Sequence, residues 1–154
     1  FFGGKAGFIS KEWYPDFANY RRVGYDFDAR YDDGLARSVD NRIYDALLGH
    51  QPLLSKEWRR LTGIAKRGEF DAIVTRLQMQ GYVVTTNFEY ATDKTRNPYG
   101  WGLARYATPE AAFGEAFTQK VYQRTPEESR QKIEAYLRSL LPQATARQLR
   151  WIVG

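Results

Sequence analysis

With 154 residues, 43% of them apolar, and a net charge of +5, the chain is long enough to bury a core and is expected to fold as one domain or as one domain plus a small helical appendage. Cysteine is absent and histidine occurs once, at His50, which excludes disulfides, thiol nucleophiles, the usual zinc ligand sets and histidine-based triads. No window approaches the roughly 18 consecutive apolar residues of a membrane span, and no charged stretch followed by an apolar one opens the chain, so a soluble, cytoplasmic protein with no cofactor, no metal and no membrane partner is expected.

Residues 1–37 form an aromatic-rich segment, with Phe1, Phe2, Phe8, Trp13, Tyr14, Phe17, Tyr20, Tyr25, Phe27 and Tyr31. It is too apolar for a disordered tail and is expected to pack on the core. Pro15 argues for a turn at Trp13-Tyr14 and a short helix from there to Arg22. Asp26 to Gly34 reads as a loop.

From Ser38 the pattern turns helical, with Val39, Ile43, Ala46 and Leu47 on one face and Arg37, Asp40 and Arg42 largely elsewhere, until Gly49. Pro52-Leu53-Leu54 is a short extended piece, and Ser55 is an N-cap for a helix over 56–62 that turns Trp58 and Leu61 inward before Gly63. A third helix, Gly68 to Gln80, buries Phe70, Ile73, Val74 and Leu77. Tyr82 to Phe88 and Trp101 to Ala107 read as strands joined by a turn-rich, partly basic loop. Thr108-Pro109-Glu110 opens another helix, and Thr125-Pro126-Glu127-Glu128 is a capping box for a helix through Leu141. A last helix, Thr145 to Val153, folds back as its antiparallel partner.

The expected fold is therefore mainly α with a small antiparallel β-hairpin. Helix, short strand, helix, helix and hairpin is the winged helix-turn-helix order, placed at residues 38–109 between the aromatic segment and a C-terminal helical extension, 110–154. Charge agrees with this placement, since residues 56–105 hold nine basic against five acidic side chains. In such a unit the second helix of the pair enters the major groove of duplex DNA and its flanks meet phosphates. Lys66, Arg67, Thr75 and Arg76 lie at the exposed positions of that helix, together with Glu69 and Asp71. Arg59 and Arg60 on the preceding helix, and Lys94 and Arg96 in the wing, are placed to meet backbone or minor groove. The two carboxylates, and the aromatic N-terminal segment, equally permit a protein-interaction or dimerisation module.

Other features have two readings. Gln78-Met79-Gln80 either orients a base edge or water, or is the polar end of a helix. Asp26, Asp28, Asp32 and Asp33 resemble an oxygen-ligand cluster, but without the twelve-residue calcium-loop spacing they read as capping aspartates of a surface loop. Tyr99-Gly100-Trp101 either stacks on a base or braces the wing by cross-strand packing. His50, after a helix end, reads as structural.

Phe2-Gly3-Gly4-Lys5 through Phe8-Ile9-Ser10 with Tyr14-Pro15, Leu77-Gln78-Met79, and Tyr99-Gly100-Trp101 together resemble a group of small bacterial proteins related to the AlkZ family of DNA glycosylases. That resemblance implies a winged-helix fold and a link to DNA repair. It also implies a possible role for Gln78 and Gln80, whose letters match the family's Gln-x-Gln motif for positioning the water that attacks the glycosidic carbon of alkylated nucleotides. The chain is far shorter than that larger family's members. Duplex DNA binding is thus the first expectation, and a monofunctional glycosylase acting on alkylated bases is the alternative.

Overall fold

The computed structural model describes residues 7–154; Phe1, Phe2 and the Gly3-Gly4-Lys5 stretch lie outside them. The Ser10 carbonyl accepts from the N–H groups of Trp13 and Tyr14 at 3.1 Å, which makes the expected turn, and α1 (Tyr14–Arg22) begins there with Pro15 in its first turn. The stretch expected as a loop contains a short helix, α2 (Phe27–Asp32): the Asp26 carboxylate accepts from the Ala29 N–H at 2.8 Å. One cap and one buried ring, Phe27, are enough to wind six residues once the core is there to receive the ring.

Helix α3 (Ser38–Leu48) buries Ile43, Tyr44 and Leu47, and it buries Asp40 as well. That departs from the amphipathic expectation. Asp40 is matched by Arg76 at 2.5 Å and by Arg37 at 3.0 Å, which removes the cost of burying an isolated charge. After β1 (Leu53–Leu54) comes α4 (Ser55–Thr62). Ser55 is its first residue rather than its cap. Instead Glu57 accepts from the Leu54 N–H at 3.0 Å. Trp58 is fully buried, donates its ring N–H to the Ile43 carbonyl at 2.8 Å and meets Phe70 edge-on. Leu61 points outward and Thr62 takes the inward place, its hydroxyl bonded to the Arg59 carbonyl at 2.9 Å.

Helix α5 (Arg67–Met79) presents the expected stripe of Phe70, Ile73, Val74 and Leu77 to the main core. Strands β2 (Val84–Thr92) and β3 (Pro98–Ala107) form the hairpin. The sheet has three strands, in the antiparallel order β1-β3-β2, because Leu53 and Leu54 pair with Tyr106 and Arg105. Irregular register at Thr85/Asn87 and Glu89/Ala91 twists β2 away from a flat ladder.

Thr108 caps α6 (Pro109–Phe113), and α7 (Glu115–Thr118) runs into a 3-10 turn, Gln119–Tyr122. Helix α8 (Pro126–Leu140) starts with the reciprocal Thr125/Glu128 capping box, and α9 (Ala146–Val153) with the equivalent Thr145/Gln148 pair. α8 packs along α1, where the buried Asp16 carboxylate is held by Lys132, Arg124 and Ser129. The N-terminal aromatics do join the core: Tyr14 packs with Ala18 and Val121, Phe17 with Ile133 and Val153, and Phe27 stacks on Tyr44. Among the described residues no helix is long and apolar enough to cross a membrane.

Candidate nucleic-acid interface

The outer face of α5 is what remains after its apolar stripe is buried: Arg67, Glu69, Asp71 and Thr75, with Lys66 at the cap position before them, all exposed. Asp71 is engaged by Arg67 at 3.3 Å, four residues earlier on the same face. Both side chains are well exposed, so the pair is weak and leaves Arg67 able to turn to a phosphate. Arg60 is exposed on α4. Lys94 and Arg96 lie exposed in the hairpin turn, whose shape is set by Asp93: its carboxylate accepts from the Thr95 hydroxyl and from the Asn97 and Thr95 N–H groups, and these bonds hold its pKa below the ordinary carboxylate value.

Two of the expected phosphate contacts are engaged inside the fold. Arg59 donates to the Ala65 carbonyl at 3.2 Å and so ties α4 to the turn before α5. Arg76 is the partner of buried Asp40. Trp101 does not brace the hairpin by packing. Trp101 is 96% exposed, while Gly102 lies under the Tyr90 ring, where a β-carbon would come within 2.9 Å of Tyr90 Cζ.

A groove of about 710 Å³ runs between the last turns of α5, the start of β2 and residues 7–11. Thr75, Gln78 and Met79 reach it from the helix, and Thr86, Phe88 and Phe8 face them. Gln78 donates from Nε2 to the Thr85 hydroxyl at 3.4 Å. Gln80 is not among the described lining residues. Two positions along a helix rotate a side chain by about 200°, so the glutamines of a Gln-x-Gln segment leave α5 in opposite directions. Gln80 instead ends the helix, its carbonyl accepting from Arg22 Nε at 3.3 Å.

Arg22 is the group that periodicity alone did not reveal. It is 2% exposed, and among the described residues it makes no ion pair with a carboxylate. Its guanidinium serves the Gly81 and Gln80 carbonyls and the hydroxyls of Tyr14 and Tyr122, and it lies 4.4 Å over the Tyr82 ring. Burial pushes the Tyr14 phenol well above its ordinary value despite the nearby guanidinium. The cage fixes Gly81, the pivot between α5 and β2, which has φ +76 and where a β-carbon would come within 3.1 Å of Ala18 Cβ.

These features define a mainly helical protein with a small three-stranded antiparallel sheet, in which one helix and a projecting hairpin border an aromatic groove. A family model described as AlkZ related matches residues 1–154, and the chain belongs to that AlkZ-related family. The relation points to DNA repair. No curated protein and no solved structure matches the chain significantly.

Proposed function

We propose that residues 38–109 form a winged helix-turn-helix unit that binds duplex DNA through the outer face of α5, with Arg60, Lys66 and Arg67 on phosphates and the hairpin cations Lys94 and Arg96 as the wing contact. The observation that carries this reading is the succession of α3, β1, α4, α5 and hairpin in a chain of the AlkZ-related family, with Arg60, Lys66 and Arg67 exposed and Arg67 held only by a surface ion pair. Fluorescence anisotropy with a labelled duplex at several salt concentrations tests it. The logarithm of the affinity should fall linearly with log salt, and Arg60→Ala or Arg67→Ala should each reduce the slope by about 1. A slope unchanged in both variants overturns the assignment of α5. Arg76 is unsuitable for this test, because removing it takes from buried Asp40 one of its two guanidinium partners.

A second reading, base removal from alkylated duplex, is supported by the groove. A glycosylase must hold an extrahelical base, and the groove is bordered by Phe8, Phe88 and Phe113 with Gln78 on its wall. In this reading Gln78 orients the water and Gln80 does not. Abasic-site formation on an alkylated duplex should disappear in Gln78→Ala and persist in Gln80→Ala. No base release by the unmodified chain removes the reading while leaving DNA binding intact.

A further inference from the structure

Strand β3 carries a step that a plain hairpin does not need. Glu89 pairs with Leu103 and Ala91 with Tyr99, so Gly100, Trp101 and Gly102 lie opposite the single residue Tyr90. Extra residues on one strand loop the chain out, and bulges of this kind re-aim a side chain. Trp101 stands at the apex. Both of its neighbours are glycines for a reason. Gly100 has φ +75, a left-handed backbone that favours glycine, and a β-carbon on Gly102 would come within 3.0 Å of Phe88 Cβ.

The indole that these glycines present makes no ring contact and its N–H has no acceptor among the described residues. Tyr99 and Leu103 on either side are exposed as well. A tryptophan ordinarily buries most of its large apolar surface. One lifted into solvent by a glycine-flanked bulge is shaped for a flat apolar partner.

Charge identifies that partner. The hairpin holds two carboxylates, and both are engaged: Glu89 by Arg105 at 2.6 Å, and Asp93 by Thr95 and Asn97 within its own turn. The exposed side chains of Lys94 and Arg96 at the tip make no ion pair among the described residues. An aromatic and cationic surface without a free carboxylate fits flat rings carried on an anionic backbone. Intact duplex keeps its base faces stacked on one another, whereas unpaired bases offer theirs. A second copy of the chain would bring the same free cations and no free carboxylate to meet them. The threonines and asparagines of the hairpin make it too polar to enter a bilayer. We propose that the hairpin binds single-stranded DNA, with Trp101 stacking on an unpaired base and Lys94 and Arg96 on the flanking phosphates. The proposal rests on the preceding reading only for DNA as the polymer, and its anchor, Trp101, has no part in duplex binding through α5.

Fluorescence anisotropy with two labelled strands of equal length tests it, one of dT and one of abasic residues that keeps the phosphates without bases. The dT strand should bind about tenfold more tightly. Trp101→Ala should remove that advantage while leaving the affinity of the abasic strand unchanged, and Trp101→Phe should keep most of it. Lys94→Gln and Arg96→Gln should weaken the binding of both strands. Trp101 is 96% exposed, so its variants keep the fold. Equal binding of the two strands, binding of neither, or full dT binding by Trp101→Ala would each overturn the proposal. So would a dimer in light scattering, or binding to phosphatidylserine vesicles, that Trp101→Ala abolishes. Intact duplex should bind Trp101→Ala as it binds the unmodified chain. If duplex is not bound while the dT preference holds, the reading of α5 fails and this one stands.

Discussion

Arg22 holds a full charge in the interior among phenol rings and carbonyl oxygens. The arrangement is stable because each guanidinium nitrogen meets an acceptor and the guanidinium face lies over an aromatic ring. Replacing a buried charge with an apolar side chain is often harmless when its partner leaves with it. Here the partners include the Gln80 carbonyl, which would lose its donor, and the Gly81 carbonyl, which would keep only the Tyr14 hydroxyl. Arg22→Met should therefore cost about 3 kcal/mol in urea unfolding, and a loss below about 1 kcal/mol would show that the cage relaxes around the change. The basic residues illustrate the same point about context. Arg60 and Arg67 are indistinguishable from Arg59 and Arg76 by composition or helical position, yet the first two are exposed and the last two hold parts of the fold together.

At the scale of elements, two caps were legible. Thr108 and Thr125 each accept from the N–H three residues on, where a hydroxyl before a proline-led helix start had placed them, and Thr145, read from sequence as the first residue of the last helix, caps α9 in the same way. The short helix α2 was missed because one turn and a half has no periodicity to detect, although Asp26 carried its signal. The end of α1 holds a misfit: Val23 adopts φ 55, a left-handed conformation that a β-branched residue resists. Its side chain is largely exposed, so little packing is at stake. Val23→Asn should stabilise the protein by about 1 kcal/mol, seen as a higher thermal midpoint. An unchanged or lower midpoint would mean that the valine contributes packing that outweighs the strain.

For the molecule as a whole, the buried tyrosines govern its response to alkali. Burial pushes Tyr82 up to about 12, with the Arg22 charge opposing, and drives Tyr14 and Tyr44 upward in the same direction. A phenol whose pKa is raised on folding contributes stability that is intact below the ordinary value near 10 and is lost as pH climbs through the folded value, because the unfolded chain gives up its protons first. Absorbance at 295 nm followed together with circular dichroism should show the exposed tyrosines ionising near pH 10 with the fold intact, and a second group ionising only as the fold is lost toward pH 12. Ionisation of every tyrosine near pH 10 in a still-folded chain would contradict this.

Local sequence was sufficient for what depends on neighbours in the chain. It determined the buried stripe of α5, the capped starts of α6 and α8, the hairpin, and the family that the short motifs resemble, because each is written within a few residues. Which side chains share a site was decided by tertiary structure. Gln78 reaches a groove and Gln80 does not, because a helix turns about 100° per residue against walls supplied by β2 and residues 7–11. Asp40 found Arg76 thirty-six positions away, and Arg22 found Gly81 fifty-nine positions away. No local pattern encodes such partners, because the free energy of burying a charge depends on what the rest of the chain brings beside it.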